Sequence, residues 1–192
     1  LESEDIDFDG LVIKVKDLNQ RIILGSTDHH PRWAVAYKFP AQLATTQILS
    51  VDFQVGRTGI ITPVANLQPV ELSGVRIKRV SLHNIDFIKE KNLHIWDYVW
   101  IQRSWEVIPY IVSVIKEYRS MTENVSSIEM PDKCPSCWSK LKHEDIHYYC
   151  TNPHCKAKLK EQILHFVSKN CMDIQGIWES IIDILVEQNV VK

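Results

Sequence analysis

The stretch QILSVDFQVGRTGIITPVANLQPV, Gln47 to Val70, reads as two strands broken by a tight turn at Gly56 to Gly59. Ser73-Gly74 marks a second turn, and from about Gln47 to Lys116 the pattern gives five short strands. Asn84 is a suitable N-cap for a short helix over Ile85 to Glu90, between the third and fourth strands. Five strands with a helix before the fourth suit a small Greek-key barrel of the OB type. Upstream, Gly10 to Lys16 alternates, with Leu11, Ile13 and Val15 on one face and Val12, Lys14 and Lys16 on the other. Trp33 to Phe39 repeats this as a second strand. Downstream, Glu117 to Pro131 reads as a polar linker. Ala157 to Lys169 has helical spacing, a break runs from Met172 to Trp178, and Ile181 to Val186 is amphipathic again, so a helical hairpin is expected.

At 192 residues with 45% hydrophobic content, the chain can bury a core in one or two compact domains. The longest apolar runs are only a few residues, and no basic stretch precedes an apolar one, so neither a membrane span nor a signal peptide is expected, and the address is cytoplasmic. The net charge of -2 decides little, but its distribution is uneven. Glu2, Glu4, Asp5, Asp7 and Asp9 load the first stretch with acid, whereas Lys133, Lys140, Lys142, Lys156, Lys158 and Lys160 surround a cysteine cluster. Opening on Leu1, directly into this pattern, the sequence is read as a piece of a longer protein.

Four of the five cysteines form two tight pairs, Cys134-x2-Cys137 and Cys150-x4-Cys155. Two thiolates on each of two short loops suit one tetrahedral zinc ion, and because the surrounding stretch is poor in apolar residues, the metal would supply its folding energy. His143, His147 and His154 lie nearby but are not needed as ligands. Cys171 is read as a small core residue of the helical tail. Lys14 and Lys38, each on a strand face of small residues, would together suit phosphate oxygens, although a lysine there is usually only solvated. Arg57, Arg76, Lys78, Arg79 and Arg103 offer a basic surface. The turn Gly56-Arg57-Thr58-Gly59 either grips a backbone phosphate or is a solvated hairpin.

Asp9-Gly10-Leu11-Val12-Ile13-Lys14 and Trp33-Ala34-Val35-Ala36-Tyr37-Lys38-Phe39-Pro40 look like nucleotidyltransferase motifs IV and V of the bacterial NAD-dependent DNA ligases. Val55-Gly56-Arg57-Thr58-Gly59, Thr62-Pro63-Val64-Ala65, Leu82-His83-Asn84 and Val107-Ile108-Pro109 resemble that family's OB domain. Cys134-Pro135-Ser136-Cys137, Cys150-Thr151-Asn152-Pro153-His154-Cys155 and Met172-Asp173-Ile174-Gln175-Gly176 resemble its zinc finger and the start of its helix-hairpin-helix domain. The resemblance covers essentially the whole chain, in the family's order.

It implies a mixed α+β multidomain fold: the end of an adenylation domain over 1–46, an OB-fold β-barrel over 47–118, a four-cysteine zinc finger over 131–157 and the start of a helix-hairpin-helix domain over 158–192. It also implies nick sealing in replication and repair. A lysine attacks the α-phosphate of NAD, AMP passes to the 5′-phosphate at a nick, and the 3′-hydroxyl displaces it. Lys14 and Lys38 would neutralise the adenylate phosphate, and Asp9 would act through magnesium. Arg57, Thr58, Arg103, Val107 and Ile108 would contact DNA. Cys134, Cys137, Cys150 and Cys155 would hold structural zinc. The implied protein is a monomer on nicked duplex DNA, in the bacterial cytoplasm at the nucleoid. A non-enzymatic OB and zinc-finger module is the alternative that gives Lys14 and Lys38 no role. An ATP-dependent polynucleotide ligase shares the lysine motifs, but the zinc finger and hairpin argue against it.

Two departures from the family pattern stand out. No K-x-D-G nucleophile motif occurs, so this chain alone should not form the lysyl-adenylate. Where the family normally has glycine, Trp96, Trp105, Trp138 and Trp178 occur, in a chain with six tryptophans and six glycines. Independent substitutions should not all choose the same rare residue. The alternatives are four genuine substitutions or, the preferred reading, four glycines encoded by UGA and translated as tryptophan.

Overall fold

In the computed structural model, the described residues are 10–38, 42–72, 74–104, 108–119 and 125–191. The chain opens with β1 (Gly10–Lys14), α1 (Leu18–Leu24) and β2 (Ala34–Lys38). The two strands pair antiparallel with Leu11 opposite Tyr37 and Ile13 opposite Val35. Gly10 is required there, because a β-carbon would sit 2.6 Å from the Tyr37 carbonyl oxygen. The helix between the strands was not legible from spacing. Asp17 caps it, accepting from the amides of Asn19 and Gln20, and it ends at Gly25 with φ +63.

Next come β3 (Leu43–Val55), β4 (Ile61–Leu72), β5 (Val75–Ser81), α2 (Ile85–Lys91), β6 (His94–Ile95), β7 (Tyr98–Ser104) and β8 (Ile108–Val114). Five of these strands form one sheet in the order β5-β4-β3-β7-β8. The long β3 pairs twice: its first part, Leu43 to Gln47, lies along β7, and its second, from Ile48, lies along β4. A register shift between Ile48 and Ser50 sharpens the twist where the partner changes. The curl brings the edges β5 and β8 into contact. This is the expected OB arrangement, with the predicted helix in its predicted place. Asn84 accepts from the Phe87 amide at 2.8 Å.

Alternation decides the core. Val99 and Ile101 on β7 are fully buried while Trp100 between them stays exposed. Ile48, Leu82 and Ile111 join them, α2 adds Ile85 and Ile88, and each such aliphatic side chain contributes about 1.5–3 kcal/mol.

The described parts of the segment read as a polar linker, 117–119 and 125–131, are tied down instead. They form α3 (Lys116–Arg119) and β9 (Ser126–Ser127), which pairs with β6, and they send Ile128 into the OB core. The reason is an acid the spacing did not flag. Asp97 is fully buried and accepts from the His94 amide and from Nε of Arg119, each at 2.7 Å, and Arg119 also donates to the Asn92 carbonyl. A buried carboxylate requires such partners, and this one draws the linker onto the barrel.

The last part comprises β10 (Leu141–Glu144), β11 (His147–Cys150), α4 (Lys156–Val167) and α5 (Glu179–Glu187). The predicted helix pair is present, and Lys160 of α4 bridges Glu179 and Asp183 of α5, both at 2.8 Å. Cys171 is exposed beside His165, not part of a core, because the turn after α4 faces outward.

Candidate functional site

Two short loops and one helix start assemble the cysteine centre. Cys134 and Cys137 flank the turn before β10, Cys150 ends β11, and Cys155 sits at the N-cap of α4. The four sulfur atoms all lie within 4.8 Å of one another. The Cys134–Cys155 and Cys137–Cys150 separations are 3.9 and 3.4 Å. Thiolates around tetrahedral zinc, with Zn–S bonds near 2.3 Å, stand about 3.8 Å apart, so the donors match that ion in number, chemistry and spacing. Backbone amides aim at the sulfurs: those of Ser136 and Cys137 at Cys134, Ser139 at Cys137, and Asn152 at Cys150.

Without a cation the thiols are unequal. Burial pushes Cys150 up to about 12 and also raises Cys134. At Cys137 burial opposes ionisation, but hydrogen bonds from the Ser139 hydroxyl and amide, together with those from the side chains of Asn152 and Cys150, outweigh it and lower the thiol to about 6. None of the three neighbouring histidines joins the group among the described residues.

The centre does not stand apart from the barrel. Val55 and Ile61, at the facing ends of β3 and β4, share a buried cluster with Cys134, Cys150 and Cys155. The Cys150 amide donates to the Gly59 carbonyl at 2.8 Å, and Ile60 bridges to Tyr149. The shortage of apolar residues seen around the cysteines is met in part by the OB sheet.

Lys14 lies opposite Ala34 and Lys38 opposite Gly10, which puts both lysines on one face of the hairpin with Val12 and Ala36 between them. They stand at opposite ends of that face, about 13 Å apart along the strand. Arg57 and Thr58 are exposed on the turn after β3. Arg103 pairs with Pro109 and Ser104 with Ile108 at the far end of the sheet, beside the start of β3. The OB residues are therefore divided between two ends of one strand. Arg76 and Lys78 are exposed on β5, while Arg79 faces Asp52 at 3.6 Å. Asp9, Val107 and Trp105 lie outside the described residues.

Trp96 has φ 74 and Trp138 φ 59. The other non-glycine residues with positive φ among the described residues are His83, Asn92, Asp145, Asp173 and Asn189, the types that tolerate this conformation. The expectation of glycine-like backbone thus has a geometric counterpart at Trp96 and Trp138. It has none at Trp178, whose backbone is extended at φ -105 and ψ 170.

Comparison with known proteins follows the same division of the chain. The family model for the NAD-dependent DNA ligase adenylation domain matches residues 2–42, and that for the NAD-dependent DNA ligase OB-fold domain matches 45–123. A DNA ligase of Pseudothermotoga lettingae is 50% identical over 187 residues, 96% of this chain and 27% of the relative. The chain belongs to the NAD-dependent DNA ligase family. A DNA ligase of Sulfurihydrogenibium azorense is 51% identical over 178 residues, 92% of this chain and 25% of the relative. One of Thermotoga maritima is 47% identical over 187 residues, 96% and 27%. The chain spans about a quarter of the length of these DNA ligases.

Residue patterns did not single out Gly59, Asn152, Ser139 or Lys158 around the cysteines, nor Asp97 with Arg119. Gly59 sits inside a motif quoted for its arginine. Lys158 was one of a run of lysines, and only the fold shows its amino group directed at the Cys150 and Asn152 carbonyls, at 3.5 and 3.3 Å.

Proposed function

We propose that the protein carrying this sequence seals nicks in duplex DNA with NAD as the AMP donor, and that this segment contributes phosphate neutralisation, DNA contacts and a zinc-held joint. The observation that carries the reading is the hairpin with Lys14 and Lys38 on one face, followed in chain order by the OB sheet. Adenylyl transfer forms a bond between a nucleophile and the α-phosphorus and breaks the pyrophosphate link, releasing nicotinamide mononucleotide. Such a step is governed by positioning and charge neutralisation, which two lysine ammonium groups on one face supply.

In this reading Arg57, Thr58, Arg103 and Ile108 engage the DNA, with Val107 beside them, and Asp9 is the carboxylate that acts through magnesium. The four cysteines hold zinc as an architectural ion. The α4–α5 pair is the first hairpin of a helix-hairpin-helix domain, with the boundaries at 46, 118, 131 and 158 given above. The protein works as a monomer on nicks left by replication and repair at the nucleoid.

The test is Lys38→Ala in the full-length protein. Sealing of a nicked duplex should fall about 10²- to 10³-fold, the cost of removing one charge that stabilises a transferring phosphoryl group, with DNA affinity little altered. Unchanged sealing would return the chain to the class of non-enzymatic OB and zinc-finger modules. The 192-residue chain itself, incubated with NAD and magnesium, should show no AMP adduct by intact mass. An adduct would place a nucleophilic lysine within it.

A further inference from the structure

The turn from Gly56 to Gly59 is closed on itself and fastened to the cysteine centre. The Gly56 amide donates to the Ile60 carbonyl and the Gly59 amide to the Gly56 carbonyl, both at 2.8 Å. Arg57 and Thr58 are exposed at its tip, while Gly59 is buried with φ +90. A β-carbon on Gly59 would stand 2.6 Å from the Cys150 carbonyl oxygen and 3.4 Å from Cδ of Lys158. That same carbonyl accepts from the Lys158 amino group, and the Cys150 amide donates back to Gly59. The backbone of one cysteine ligand is thus in direct contact with the turn that presents the arginine. Val55 and Ile61 on either side of the turn pack against the cysteines, so turn and centre share one buried cluster.

We propose that Gly59 is a positioning residue that couples the cysteine centre to the Arg57–Thr58 turn, so that metal held by the four thiolates sets the geometry with which the OB domain grips DNA phosphate. The inference rests on the reading of Arg57 and Thr58 as DNA contacts. Physically, Gly59 alone permits the close approach, since any L side chain there meets both the left-handed penalty and the Cys150 carbonyl. Zinc fixes the Cys150 backbone through its sulfur, and the hydrogen bond to Gly59 passes that restraint to the turn. Loss of the metal frees β11, and the arginine loses its fixed aim.

The experiment uses the zinc-loaded full-length protein and two readouts: the rate of metal transfer to an excess of a chromophoric chelator, and the Kd for a nicked duplex with a 3′-dideoxy end. Gly59→Ala should speed transfer and weaken Kd, each by about tenfold, as expected for a forced overlap in a packed joint. Arg57→Ala should weaken Kd and leave transfer unchanged. The double variant should bind DNA no worse than Arg57→Ala, because both changes act through one turn. Additive losses in Kd would mean that Gly59 merely stabilises the fold, and a Gly59→Ala transfer rate equal to that of the parent would also overturn the coupling. If Arg57→Ala leaves Kd unchanged, the DNA reading of the turn fails, and the Gly59→Ala transfer rate still decides whether the joint restrains the metal. Should Gly59→Ala not fold, Lys158→Met removes only the side-chain tie. Transfer should then rise about threefold, and an unchanged rate overturns the proposal.

Discussion

Replacing Trp138 by glycine and, separately, by alanine gives two proteins that both lack the indole and differ only in backbone freedom. With φ 59, an L residue at this position sits in the left-handed region, at a cost of about 1–2 kcal/mol that glycine avoids. Glycine in turn loses more backbone entropy on folding, about 0.5–1 kcal/mol. The difference leaves Trp138→Gly more stable than Trp138→Ala by about 0.5–1 kcal/mol. Relative to the parent the same sign is expected, because Trp138 is 73% exposed and its ring is only lightly packed. Trp96, at φ 74 and 39% exposed, should show the same order of glycine over alanine, with a smaller gain over the parent. Trp100, within β7, supplies the contrary sign: there glycine should be the less stable by about 0.5–1 kcal/mol. Guanidinium unfolding of the zinc-loaded chain, followed by helicity and by metal release, measures all six variants. If Trp138→Gly proves no more stable than Trp138→Ala, the left-handed backbone is not a source of strain and the glycine reading of that position fails. The gene offers a second check, since UGA at codons 96, 105, 138 and 178 is expected and UGG there ends the recoding idea.

Arg119→Met should lower stability by about 2–4 kcal/mol by stranding the buried Asp97 carboxylate, and should make residues 125–130 accessible to limited proteolysis; an unchanged cleavage pattern contradicts the docking of that segment. Zinc uptake at neutral pH should release fewer protons than there are ligands, because Cys134 and Cys150 must give theirs up while Cys137, near 6, is already a thiolate; titration in two buffers of different ionisation enthalpy counts them. Lys160 has its pKa raised by Asp183 and Glu179, so its tie between α4 and α5 is fully present below the unfolded value of 10.5 and is lost as the pH rises through the folded one; helicity should fall across that alkaline window, and less so in Lys160→Met.

Spacing and alternation made the OB strands, α2 with its Asn84 cap and the helix pair legible, because each is governed by residues close in sequence. The four sulfurs were legible for the same reason: two short loops leave thiolates few places to go. What escaped reading depends on contacts distant in sequence. Asp97 looks like any acid in a turn until Arg119, far along the chain, is folded over it. Gly59 looks like a hairpin glycine until Cys150 arrives against it. Helix α1 carries Ile22 and Ile23 largely exposed, so no inward stripe marked it, and its Asp17 cap is the local signal that spacing passed over. Cys171 was misassigned because a thiol is apolar enough to suit a core that the turn after α4 does not provide.

The length of β3 gives the segment a built-in ruler. Its 13 residues separate the Arg57 turn at one end from the Arg103 end of the sheet, where β3 begins, the next strand in the chain after the lysine hairpin. At about 3.3 Å per residue the contour is at most roughly 40 Å, the axial length of about a dozen base pairs of duplex, shortened by the curl. Lengthening the strand by one residue would turn every later side chain to the opposite face, while adding two would keep the faces and slide the end beside the cysteines by about 7 Å. The spacing between the Arg57 end and the Arg103 end is therefore set in whole pleats, and with the faces kept it can change only in steps of two residues.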